Sequence, residues 1–177
     1  MDGIIKFPLT NEYPTYVEEY MNLLRREGGL LKQLKEISMK TIDLVLSLSK
    51  DELLLRPSKN NWSIKEILVH IIDDERIYAF RALSFARNDK TYLPGFDIED
   101  YTKYSDANTR SIESILEEYK AVRIATIALF KGFSEKALVR TGTANGNSAS
   151  VRALGYHIAG HELVHIKTIT EDYLKKS

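Results

Sequence analysis

Tyr156-His157-Ile158-Ala159-Gly160-His161-Glu162-Leu163-Val164-His165 sets three of the chain's four histidines at intervals of four. On an α-helix a four-residue step returns a side chain to nearly the same face, about 6 Å further along. The stretch therefore predicts a helix with a stripe of imidazoles. Two neighbours in such a stripe can hold one metal ion, with ring nitrogens about 2.1 Å from it. His157 and His165 are two turns apart, roughly 12 Å, so all three cannot share one ion without distortion. A third protein ligand has to come from another part of the chain.

The helix that carries the stripe is predicted over 150–174. Before it, Gly142 to Asn147 is turn chemistry, and its Asn145-Gly146 step permits a small hairpin. Ile112, Ile115, Leu116, Tyr119, Val122, Ile127 and Phe130 recur at helical spacing behind Ser111, and Gly132 stops that helix. Ser63 followed by Glu66 is a capping-box pattern, which starts a helix running to about Arg87. Leu31, Leu34, Ile37, Ile42, Val45 and Leu48 predict a helix over 30–48, separated by Gly28-Gly29 from a short helix before it. No stretch alternates as a strand over a useful length. The expected fold is all-α, a four-helix bundle with a long connection, 88–108, between the second and third main helices. That loop holds Pro94-Gly95 and the aromatics Tyr92, Phe96, Tyr101 and Tyr104, and should pack down on the protein. The whole chain, 1–177, reads as one domain, with 1–14 as an N-terminal arm.

Composition narrows the chemistry. Lys+Arg and Asp+Glu both number 25, so the net charge is zero, which argues against a general binder of nucleic acid or anionic membranes. With no cysteine, disulfides, thiolate-ligated zinc and a cysteine nucleophile are excluded, and any metal must be held by nitrogen and oxygen. The N-terminus lacks the apolar core of a signal peptide, and no apolar run reaches the roughly 18 residues of a membrane span. The expected location is the cytoplasm.

The fourth histidine, His70, lies on the second main helix. Together with His161 and His165 it makes a one-plus-two arrangement of three imidazoles on facing helices, with a coordination position left open, as in catalytic metal sites. A competing motif overlaps it: His161-Glu162-Leu163-Val164-His165 satisfies H-E-x-x-H, the zinc-peptidase pattern. Here only 12 residues follow His165. Thr168 and Glu171 stand where the extended pattern needs Gly and His, and no strand precedes the helix, so the peptidase reading is set aside. Glu162, turned about 100° from His161, reads as an ordinary exposed residue.

Asp73 and Asp74, one turn beyond His70, can orient a ligand imidazole or form a solvated acidic face. Arg81 can grip a substrate carboxylate or pair with Asp74, the pairing being slightly favoured. His157 can serve as an acid or base beside the site or pack below it. Tyr78, Phe80, Phe85 and Phe96 read as core rather than pocket.

Trp62-Ser63-Ile64-Lys65-Glu66-Ile67-Leu68-Val69-His70-Ile71-Ile72-Asp73-Asp74-Glu75-Arg76, then Leu93-Pro94-Gly95-Phe96-Asp97, then Ile158-Ala159-Gly160-His161-Glu162-Leu163-Val164-His165 resemble in order and spacing the DinB/YfiT superfamily. The resemblance covers nearly the whole chain. It implies a four-helix bundle, often a homodimer, with a nickel or zinc ion on a triad matching His70, His161 and His165. It also implies a metal-dependent enzyme acting on a small molecule, either a thiol-dependent S-transferase using a low-molecular-weight thiol or a hydrolase. His157 is outside the family's triad. A non-catalytic stress-response or ligand-binding bundle with a structural or vestigial metal site is the second expectation.

Overall fold

The computed structural model describes residues 4–175; Met1, Asp2 and Gly3 of the expected N-terminal arm lie outside that range. Two turns of 3-10 helix (Thr10–Glu12 and Thr15–Val17) and a short helix α1 (Glu18–Asn22) precede α2 (Leu30–Leu46). Between α1 and α2 the chain turns at Gly28 and Gly29, both at positive φ (85° and 72°), a conformation that costs glycine little because it has no Cβ. A short α3 (Lys50–Leu53) leads to α4 (Ile64–Ala86). The long connection follows and contains α5 (Ile98–Lys103), then come α6 (Ile112–Lys131), α7 (Glu135–Leu138), a hairpin of β1 (Thr141–Ala144) and β2 (Asn147–Ser150), and α8 (Val151–Thr168). A π-helical turn, Ile169–Tyr173, prolongs α8.

Local chemistry explains most of these boundaries. The Ser63–Glu66 capping box is formed in both directions at α4, and Ser111 and Ser150 cap α6 and α8 by accepting from Ser114 and Ala153 backbone N–H; each cap satisfies donors that the helix cannot pair internally. A second capping box, Ser49 with Glu52, starts α3 inside what the sequence presents as a plain connector. The hairpin pairs Thr141 with Ser150 and Ala144 with Asn147 around Asn145-Gly146.

The four long helices form a closed ring of contacts: α2 packs on α6, α6 on α4, α4 on α8 and α8 on α2. Helices consecutive among the long ones, α2 with α4 and α6 with α8, therefore sit across diagonals. The expected all-α four-helix bundle stands, with the hairpin as an addition. The connection after α4 is only partly packed down: Leu93 exchanges backbone hydrogen bonds with Thr143 and Asn145 of the hairpin, while Tyr92, Tyr101 and Tyr104 are exposed.

The core divides into two apolar clusters. One gathers Leu34 and Ile37 of α2, Tyr78 to Ala86 of α4, Phe130 of α6 and Val151 to Ala159 of α8. The other gathers Val45, Ile64 to Ile72, Ile115 to Tyr119, and Ile169 with Tyr173. On each long helix a buried polar residue falls between the two sets: Thr41, Glu75, Arg123 and Glu162. Arg123 donates to Glu75 through Nε (2.9 Å) and Nη2 (2.7 Å), to Glu162 through Nη2 (2.5 Å), and to the Leu34 carbonyl through Nη1 (3.0 Å). Tyr119 donates to Glu162 at 2.6 Å, and so does Thr41. One guanidinium thus ties α2, α4, α6 and α8 together, and its buried charge is offset because both carboxylates are paired and hydrogen-bonded.

Candidate metal centre

α4 brings His70 and α8 brings His161 and His165 to the level of that polar layer. His70 Nε2 lies 3.1 Å from His161 Nε2, and His165 Nε2 lies 3.0 Å from the same atom. The three ligand atoms all lie within 4.8 Å of one another, and no carboxylate joins the group among the described residues. Three imidazoles on one ion with bonds of about 2.1 Å would stand on the order of 3.4 Å apart, close to what is seen. Hydrogen bonding among the rings explains the cluster poorly. His161 Nε2 has one lone pair, and two other Nε2 atoms converge on it. A cation placed among the three meets three lone pairs at once, so the donor set fits a metal.

The surroundings favour neutral, ligating imidazoles. Burial lowers the pKa of His70. It lowers that of His161 to about 4, with the positive fields of His157 and His70 adding to the effect and Asp74 opposing it. His165 is lowered as well, by burial and by its His neighbours. His165 is the partly exposed member, so the cluster is reached from its side. Trp62 packs at 4.9 Å from the His70 ring and is fixed by Tyr173, whose hydroxyl donates to the Trp62 carbonyl at 2.8 Å. Tyr20 of α1 stands edge-on to His157 and His161. It comes that close because Gly160 has no side chain: a Cβ there would lie 2.6 Å from the Tyr20 carbonyl oxygen.

Asp74 is buried and places Oδ2 3.3 Å from His161 Nδ1 and 3.4 Å from His157 Nε2. Burial opposes its ionisation, but His161 and His157 outweigh burial and hold it below the usual carboxylate range. A carboxylate facing Nδ1 favours the tautomer that leaves Nε2 free to ligate. Of the two readings for Asp74, the structure shows the one facing an imidazole. Asp73 lies apart from the cluster and pairs with Arg76 at 3.6 Å.

Four sequence expectations are corrected. Glu162 is fully buried and is engaged by Arg123, Tyr119 and Thr41, where a peptidase would aim it at its metal. Arg81 does not pair with Asp74, whose nearest partners are histidines; its Nη2 donates to the Pro94 carbonyl at 3.1 Å, because the connection after α4 folds back over that face. Tyr78 is not simply core: it stacks on His157, with ring centres 3.6 Å apart and planes 7° from parallel, and lines a pocket with Phe85 and His157. Phe80 is 57% exposed, on the side of α4 that faces away from the other helices. Tyr20 and Arg123 reach their partners across long stretches of chain, so nothing local marks them; Trp62 stands in the motif that holds His70, but its place against that ring follows only from the fold. Gly160, inside the motif itself, was the one local signal of a close approach.

The profile of the DinB superfamily matches residues 33–169. The chain belongs to the DinB superfamily. A relative from Oceanobacillus iheyensis, named as a candidate metal-dependent hydrolase, is 27% identical over 143 residues, which cover 77% of this chain and 81% of that protein. The solved structure of YfiT from Bacillus subtilis, described as a metal-dependent hydrolase candidate with an unusual four-helix bundle topology, superposes with a TM-score of 0.73 at 16% identity, covering 94% of this chain and 91% of that one. At that identity the likeness speaks for the fold, and the diagonal placement of consecutive long helices agrees with a bundle of uncommon connection. Among the described residues no helix is long and apolar enough to cross a membrane.

Proposed function

We propose that this protein is a metal-dependent hydrolase of a small molecule, with His70, His161 and His165 as the ligands of one divalent ion. The observation that carries the reading is the convergence of three Nε2 atoms from two helices, backed by a buried carboxylate on the far nitrogen of one of them. The relatives named as candidate metal-dependent hydrolases support it. Zinc and nickel both suit three neutral imidazoles. When bound, the ion supplies Lewis acidity and lowers the pKa of a coordinated water or thiol.

The chain's own residues do the rest. His70, His161 and His165 offer lone pairs and no negative charge, which leaves the ion's charge uncompensated. Asp74 Oδ2 faces His161 Nδ1 at 3.3 Å, outside hydrogen-bond geometry, and its charge favours the tautomer protonated at Nδ1. Trp62 and Tyr20 exclude water from the buried flank, which strengthens electrostatic interactions there. His157 is outside the ligand set; it faces Asp74 Oδ2 and can hold or pass a proton at Nε2. Transfer to a low-molecular-weight thiol would use the same open position, and the thiol would be supplied from outside because the chain has no cysteine. A cytoplasmic homodimer without nucleic-acid partners completes the proposal.

The test is hydrolysis of a panel of small esters, amides and lactones by metal-loaded protein, and by the same protein offered low-molecular-weight thiols. Activity that needs the ion and is lost in H161A supports the reading; activity unchanged in H161A overturns it.

A further inference from the structure

A pocket opens beside the histidine cluster, between Tyr13 of the N-terminal arm, Tyr16 in the 3-10 turn that follows it, α4 (Tyr78, Arg81), the hairpin and His157. Two of its lining side chains are polar, more than nine-tenths buried and incompletely partnered. Arg81 is 5% exposed. Its guanidinium donates to Pro94 O and lies 4.8 Å from the Tyr78 ring centre. No carboxylate forms an ion pair with it among the described residues. His157 is 4% exposed; its Nε2 faces Asp74 Oδ2 at 3.4 Å without hydrogen-bond geometry, and its Nδ1 has no hydrogen-bond partner.

A buried guanidinium without a counter-anion is costly unless something supplies one. Elsewhere in this protein the rule is kept: buried Arg123 is clamped by two carboxylates. At Arg81 the missing partner faces a pocket whose remaining walls are aromatic and aliphatic, among them Phe85 and Leu154. We infer that this pocket binds a small monocarboxylate, its carboxylate held by Arg81 beside His157 and its apolar body against Tyr13, Tyr16 and Phe85.

The charge count favours a monoanion over a phosphate dianion. Arg81 is a single cation, and the buried Asp74 carboxylate lies two turns away on α4, about 10 Å along the helix axis. A second negative charge on the ligand would have nothing to offset it. A guanidinium with one arm engaged still offers the planar pair of N–H groups that matches a carboxylate. The inference does not rest on the metal reading, because none of the three clustered histidines lines this pocket.

Calorimetric titration of 3-phenylpropionate, its amide and phenyl phosphate decides it. The titrations are run on metal-loaded protein, on chelator-stripped protein and on Arg81→Gln and Arg81→Lys. The carboxylate should bind about tenfold or more tighter than either analogue, equally with and without metal. Arg81→Gln should lose at least tenfold, and Arg81→Lys should recover part of that loss. Transferred nuclear Overhauser contacts from the ligand should reach the Tyr13, Tyr16 and Phe85 rings, which keeps the test decisive if an Arg81 variant does not fold. Equal binding of the amide, no binding by wild type at millimolar concentration, or contacts elsewhere overturns the inference. Binding that vanishes with the metal places the carboxylate on the ion instead, and overturns it too.

Discussion

Asp74 Oδ2 stands 3.3 Å from Nδ1 of His161, while Nε2 of the same ring faces His70 and His165. One imidazole thus has a buried carboxylate facing its far nitrogen and its near nitrogen at the centre of the cluster. Asp74→Asn keeps the shape and removes the charge. It should weaken zinc or nickel binding about 10- to 100-fold without abolishing it, read by competition with a chromophoric chelator. Unchanged affinity would mean that Asp74 does not orient the ligand.

Arg123 holds two buried carboxylates. Arg123→Met leaves Glu75 and Glu162 without a cation and should cost about 3–5 kcal/mol in urea unfolding. Glu162→Gln separates a structural glutamate from a peptidase base: metal affinity and turnover should change less than about tenfold, where loss of a general base costs roughly 10²–10⁴.

Gly160→Ala places a methyl against the Tyr20 backbone. Forcing α1 away should cost about 1–3 kcal/mol, and should loosen the packing of Tyr20 on His161. A thermal shift shows the first effect; weaker metal binding in the same variant shows the second. An unaltered midpoint would contradict the close approach of α1 and α8.

Much of this arrangement is written locally. The Ser63–Glu66 cap, the Gly28-Gly29 break and the helical spacing of apolar residues place α2, α4, α6 and α8 within a few residues of their observed ends, and the four-residue histidine period puts His161 and His165 on one face. Two features depend on contacts between distant segments and are invisible to periodicity. Glu162 reads as exposed from its angle to His161, because nothing local reveals Arg123, 39 residues earlier. Arg81 reads as a partner of Asp74, because the return of the 88–108 connection to its side of α4 is a tertiary event. The Ser49–Glu52 cap is a local signal too, but the helix it starts is a single turn with no apolar period to mark it.

Acid should destabilise the metal-free protein. His161 is lowered to about 4 in the folded state by burial first, and an unfolded histidine titrates near 6.5. Below about pH 6.5 the unfolded chain takes up protons that the folded chain refuses. Stability is therefore full above that pH and falls toward pH 4, by up to about 1.4 kcal/mol per pH unit for each such histidine. Urea midpoints across pH 4–8 check the slope; a midpoint that rises on acidification would contradict it.

Metal analysis of the protein as purified, beside H70A/H161A/H165A, bears on the centre most directly. Wild type should carry, or take up from zinc or nickel at micromolar concentration, about one ion per chain, while the triple variant keeps its helical spectrum and holds less than about a tenth of that. A wild-type protein that binds neither ion, or a folded triple variant that binds as much as wild type, would contradict the three-histidine centre.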